Sequence, residues 1–136
     1  MDLLDAMAQA AKGMKAQGVR MRVISENLAN AETTGKTAAD QPYQRKVVTF
    51  KSMLDKTNGQ KEVEVDKIMA DRSDFILKYD PSHPAADKNG YVKMPNVNPL
   101  IETMDMREAQ RSYEANLGVI DMAKGMLMRT LDLLSK

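Results

Sequence analysis

The sequence predicts an α+β fold: a long helix at each end, the two pairing as a coiled-coil-like arm, with a small β-rich insert between them. Three observations carry this expectation. The N-terminal stretch repeats apolar residues at helical spacing, and the C-terminal stretch repeats them every seventh residue. The segment between them changes to short β-branched and aromatic runs punctuated by Asn-Gly and Pro. The boundaries fall at residues 1–36, 37–98 and 99–136.

In the N-terminal arm Leu3, Met7, Ala10, Met14, Met21, Ile24 and Leu28 follow an alternating four-three spacing that is interrupted at Gln17. That spacing lines one side of a helix. Asp2 suits the N-cap, and Asp5 in the first turn suits the positive end of the helix dipole. Asn30, Thr33, Thr34 and Gly35 are turn and cap residues that end the helix.

The insert is predicted to hold short strands at 43–50, 63–65, 75–79 and 91–94. Asn58-Gly59 and Asn89-Gly90 mark turns, and Pro81, Pro84 and Pro95 exclude helix. Its aromatic residues, with Ile76 and Leu77, are expected to form a small core. At about sixty residues such a piece is close to the lower limit for folding alone.

In the C-terminal arm Met106, Tyr113, Ile120, Leu127 and Leu134 recur at heptad spacing, with Ala109, Leu117, Ala123 and Leu131 filling the same face. Asn98 reads as N-cap and Pro99 as the first helical residue. Asn116 lies on the apolar side, where a polar residue can set register at some cost in stability, or at the edge of the stripe facing solvent. Gly13, Gly18, Gly118 and Gly125 lie inside the predicted helices, each at a cost of about 1 kcal/mol relative to Ala. Either they let two helices approach closely, or they leave arms that order only against other copies.

Composition narrows the function classes. Lys and Arg total 20 against 19 Asp and Glu, a formal charge of +1, unlike the concentrated basic surface of a nucleic-acid binder. With no Cys and a single His, zinc ribbons, thiol nucleophiles and multi-His metal centres are excluded. No apolar run approaches the length of a membrane span. The first residues mix Asp2, Asp5, Lys12 and Lys15 with apolar positions, unlike a cleavable secretory signal.

Two motif-like stretches fail on inspection. Gly13 to Gly18 has phosphate-loop spacing but continues with Val19 and Arg20 in a helical pattern. Residues 85–96 place Asp87, Asn89 and Gly90 as in a calcium loop, yet begin on Ala85 and end on Asn96. His83 has no nucleophile or orienting acid at a recognisable spacing, so it reads as a structural loop residue. Asp66-Lys67 and Asp71-Arg72 read as solvated surface. No catalytic residue, cofactor site, metal site or small-molecule substrate is expected.

The segment 25–35, with Ser25, Asn27, Leu28, Asn30, Thr33 and Gly35, resembles the N-terminal signature of bacterial flagellar axial proteins, the rod, hook and hook-associated family. Residues 42–50, 83–98 and 106–134 are similar to a proximal rod component of that family. The chain departs from the pattern at Lys36, where many members have an aromatic residue, and Tyr43 follows only after a polar insert. Residues 51–74 match nothing in the family pattern. The resemblance implies a structural subunit of the basal-body rod, exported unfolded by the flagellar type III apparatus without a cleaved signal. It would assemble in the periplasm with copies of itself and other rod proteins into the shaft that carries motor torque to the hook. The residues expected to pack in that assembly are Leu3, Met7, Met14, Met21, Ile24, Leu28, Met106, Tyr113, Asn116, Leu117, Ile120, Leu127, Leu131 and Leu134. The competing expectation is a soluble helical adaptor or export chaperone of the flagellar system, which would form a discrete small oligomer.

Overall fold

A computed structural model describes residues 2–136. The elements in order are α1 (Leu3–Ala29), β1 (Lys46–Leu54), β2 (Lys61–Ala70), β3 (Ile76–Tyr79), β4 (Tyr91–Met94) and α2 (Pro99–Leu134). Two long terminal helices therefore flank a small antiparallel β insert, as the periodicity predicts.

Both helices start where their caps lie. Asp2 Oδ1 accepts the Asp5 N–H at 2.8 Å, and Asp5 Oδ2 accepts the Asp2 N–H at 3.5 Å. This reciprocal pair satisfies two donors that a helix N-terminus otherwise leaves open. Asn98 Oδ1 accepts the N–H groups of Leu100 and Ile101 at 3.1 and 3.4 Å, so α2 opens on Pro99. At about 1.5 Å per residue the 36-residue α2 is roughly 50 Å long.

The insert holds two separate two-stranded sheets, β1–β2 and β3–β4. Residues 51–74, for which the sequence offered only periodicity, contain the end of β1, a loop and β2. The Asp55 N–H to Gln60 C=O bond of 2.8 Å closes that loop, with Gly59 at φ 69°. In the second sheet Tyr79 pairs with Tyr91 and Ile76 with Met94. Gly90, at φ 85°, turns the chain into β4, and a Cβ there would lie 2.9 Å from the Tyr79 ring. The position therefore needs glycine both for backbone conformation and for space.

The expected aromatic core is corrected. Phe50, Ile76, Leu77, Tyr79 and Tyr91 are all exposed. Tyr79 and Tyr91 meet edge to face, with centroids 5.3 Å apart, on the outside of the sheet. A two-stranded sheet has two faces and too little cover for both, so Val92, Pro95 and Val97 are buried together with Ala85 instead.

By its contacts the chain divides into two compact units, Met1–Met21 with Thr49–Lys67 and Arg107–Lys136, and Arg22–Val48 with Ile68–Met106. In the first unit Ala10, Ala16, Ala109 and Ala123 form the buried apolar set. Gly13 faces Asn116, whose Nδ2 an added Cβ would meet at 2.7 Å. Ala16 and Val19 face Val63 and Val65 of β2 across a shallow hollow. Close approach is possible only where side chains are small, so alanine takes the deepest places, with Gly13 and the half-buried Met7, Met14 and Met21 on the shoulders. In the second unit Val23, Ile24 and Asn27 of α1 are buried, as is Glu102 of α2.

Candidate functional site

The most densely bonded part of the molecule lies in the second unit, where the end of the signature helix meets the approach to β1. Asn27 is only 1% exposed, and every polar group of its amide has a partner. Its Nδ2 donates to the Lys46 carbonyl at 2.8 Å and reaches Glu102 Oε2 at 3.4 Å. Its Oδ1 accepts from the Lys46 N–H at 2.9 Å and from the Tyr43 hydroxyl at 2.8 Å. The amide thus pairs with both backbone groups of Lys46, as a neighbouring strand would.

Arg45, next in line, ties the rest together. Its Nε donates to Glu102 Oε1, its Nη1 lies 3.1 Å from Asp71 Oδ2, and its Nη2 lies 3.9 Å from Asp105 Oδ2. Its own N–H donates to Asn96 Oδ1 at 2.8 Å, and the Asn96 Nδ2 donates to the Asp71 carbonyl at 3.0 Å. Burial works against the Arg45 charge, but its hydrogen bonds and attraction to Glu102, then Asp71, outweigh this and hold its pKa above the ordinary value. The Ser73 backbone N–H, with the Ser73 side chain and Arg45 adding to it, holds the Asp71 carboxyl below its ordinary 3.8. Burial raises the pKa of the Tyr43 hydroxyl, which stays a neutral donor to Asn27.

The remaining signature residues build the turn after α1. Asn30 Nδ2 donates to the Glu26 carbonyl at 2.8 Å, and its Oδ1 accepts from the Thr33 hydroxyl at 3.1 Å. A Cβ on Gly35 would lie 2.8 Å from the Asp40 carbonyl oxygen, so the chain there passes too close for any other residue. The Tyr43 N–H donates to the Thr33 carbonyl at 3.0 Å, closing the polar excursion that contains Lys36. That excursion is a loop tied at its base, and Tyr43 still reaches Asn27. Leu28 is half-buried and Ser25 is exposed. His83 is likewise a loop residue: its Nδ1 accepts the Ala85 N–H at 3.0 Å, and its Nε2 lies 3.4 Å from the Thr34 hydroxyl.

The residues expected from the sequence to pack along the helices divide into three grades of burial within the single chain. Ile24 is buried. Leu3, Met7, Met14, Met21, Met106, Tyr113, Asn116, Ile120 and Leu127 are half-buried, while Leu117, Leu131 and Leu134 are exposed. Asn116 turns its Nδ2 to the Ser112 carbonyl at 3.1 Å, so it is satisfied within its own helix. Leu127 borders a hollow with Leu3, Leu4 and Ala6. On α2, Leu100, Ile101, Met104, Met122, Met126, Met128 and Leu133 are also exposed.

Sequence reasoning overlooked Arg45 and Glu102, and it read Asp71 as surface. A signal was present. Glu102 falls on the same heptad line as Ala109, Asn116 and Ala123, and a carboxylate on a line of small residues requires a cation nearby. A buried ion pair adds little net stability over an apolar pair, but it penalises any arrangement that separates its members.

Two long terminal helices, a minimal insert and a polar lock beneath the signature turn define a helix-armed structural subunit. The family model described as flagella basal body rod protein matches residues 7–35, which include the signature. The model described as flagellar basal body rod FlgEFG protein C-terminal matches residues 88–133. A flagellar basal-body rod protein FlgC of Agrobacterium fabrum is 53% identical over 135 residues, covering 98% of this chain and 97% of its own. Those of Bacillus subtilis and Salmonella typhimurium are 42% and 40% identical, covering 91% and 98% of this chain and 93% and 98% of theirs. The chain belongs to the FlgC family of flagellar basal-body rod proteins.

Proposed function

We propose that the chain is a structural, non-enzymatic subunit of the flagellar rod that assembles through its terminal helices with copies of itself and other rod proteins. The observation that carries this reading is the apolar surface left open along α2, where Met122, Met128, Leu131, Leu133 and Leu134 stand in solvent. Apolar surface on that scale marks an interaction face rather than the outside of a working monomer. The family supports placement in the basal body. Export in an unfolded state by the type III apparatus, without a cleaved signal, agrees with a disulfide-free chain whose deepest helix contacts are small residues. Such contacts bury little area and open readily. In the assembled, periplasm-spanning rod the two helices of each subunit are stiffened by neighbours and transmit torque to the hook.

Deleting the gene and restoring it with a tagged copy tests this reading. The expected result is loss of motility on deletion, recovery on complementation, and the tagged chain in the rod of purified basal bodies. A chain found only in discrete soluble oligomers, with normal rods in its absence, would replace the subunit with an adaptor.

A further inference from the structure

The second unit carries an open groove of about 610 Å³ whose lining includes the apolar residues Leu28, Ile76, Leu77, Met94 and Pro99. Glu32 and Lys78 also line it. Pro99 is the first residue of α2, and Leu100 and Ile101, directly after it, are 70% and 51% exposed. An apolar hollow flanked by such residues is unfavourable in water unless something fills it.

The chain also carries a segment suited to fill it. The last turn of α2 presents Leu131, Leu133 and Leu134, the last two being 76% and 79% exposed. That turn contains Asp132 and no basic residue, so the negative end of the helix dipole has no cation within the turn itself. Lys78 in the groove supplies the cation that such an end lacks, and Glu32 complements Lys136 beyond the last turn. Pro99 and Leu134 are the two ends of one continuous helix roughly 50 Å long.

We propose that the groove beside Ile76 and Leu77 receives the C-terminal turn of α2 from a second copy of the chain. The contact joins two different surfaces, so it is heterologous, and such contacts grow open-ended assemblies rather than closed pairs. The proposal rests on the rod reading and adds to it which surfaces meet.

Because the chain has no native cysteine, cysteine crosslinking tests this contact directly. Cells lacking the wild-type gene would co-express full-length Ile76→Cys and Leu133→Cys chains carrying different tags, and basal bodies would be purified and oxidised. The expected product is a disulfide dimer containing both tags, absent when either variant is expressed alone. A second pair, Leu77→Cys with Leu134→Cys, uses exposed positions and repeats the test should the first pair incorporate poorly. Both pairs incorporated but uncrosslinked would overturn the groove contact and leave the rod reading intact. Dimers from Ile76→Cys alone would replace it with a symmetric contact. Wild-type chain absent from basal bodies would remove both readings. Charge gives an independent check: Lys78→Glu should lower motility at least tenfold, and adding Asp132→Lys should restore it. No restoration counts against the predicted pairing of these residues.

Discussion

Gly13 on α1 lies so close to Asn116 on α2 that a Cβ at position 13 would sit 2.7 Å from Nδ2 and 3.1 Å from Cγ of that side chain. By contrast, a Cβ at Gly18, Gly118 or Gly125 would meet nothing within 4 Å. The four helical glycines therefore fall into two kinds. Of these four, only Gly13 serves close packing within the chain.

Gly18→Ala should raise the thermal stability of the free chain, because alanine is favoured over glycine in a helix by about 1 kcal/mol. Gly13→Ala should lose that gain, since it displaces Asn116 from its bond to the Ser112 carbonyl. Combining Gly13→Ala with Asn116→Ala should restore it. Urea unfolding of the wild type, Gly13→Ala, Asn116→Ala and the double variant, treated as a double-mutant cycle, measures the coupling.

Arg45→Met should destabilise the chain by about 3–5 kcal/mol, because it strands the Glu102 carboxylate at 1% exposure. Glu102→Gln should cost less, as a neutral amide still accepts from Arg45. The double replacement Arg45→Met with Glu102→Met should recover most of the loss. A double variant no better than Arg45→Met would show that the pair acts through other contacts.

The Asp71 carboxyl is held below its ordinary 3.8 first by the Ser73 N–H, then by the Ser73 side chain and Arg45. A group with a depressed folded-state pKa contributes stability above its unfolded pKa and loses it as pH falls through the folded value. Stability should therefore be level in this respect above about pH 5 and decline below about pH 4. Asp71→Asn should lower the plateau and flatten the decline. Denaturant midpoints measured from pH 3 to pH 7 compare the two curves.

Asn27→Ala should leave both backbone groups of Lys46 without their partner, at about 1–3 kcal/mol for each group that stays dry. Asn27→Asp should also be harmful, because the Nδ2 donor to the Lys46 carbonyl becomes an acceptor beside Glu102. The expected cellular result for Asn27→Ala is normal export with reduced incorporation into basal bodies. Equal incorporation would mean that the signature turn tolerates a loosened β1.

Leu127 borders a hollow with Leu3 and Leu4, whereas Asp121 is exposed. Leu127→Asp places a charge against apolar neighbours and should abolish rod assembly. Asp121→Ala should change motility little, since surface ion pairs contribute about 0–1 kcal/mol. Swarm diameter and basal-body yield distinguish the two variants, and the reverse order would place the assembly face on the other side of α2.

Periodicity and caps were enough to locate both helices: Asp2 and Asn98 cap α1 and α2, and α2 runs from Pro99 to Leu134 as its pattern predicts. Asn-Gly steps located both hairpin turns, because a left-handed residue leaves a local chemical signature. Which side chains are deepest was not legible in the same way. The apolar stripe through Met14, Met21, Tyr113 and Ile120 is half-buried, while Ala16, Ala109 and Ala123 lie innermost. Hydrophobicity records what a residue gains on leaving water, but closest approach is decided by size and by the path of the opposing backbone. The same holds for Arg45, Asp71, Asn96 and Glu102, which are spread over 57 positions between Arg45 and Glu102. Each reads alone as an ordinary polar residue, and only the folded chain brings them within hydrogen-bonding distance.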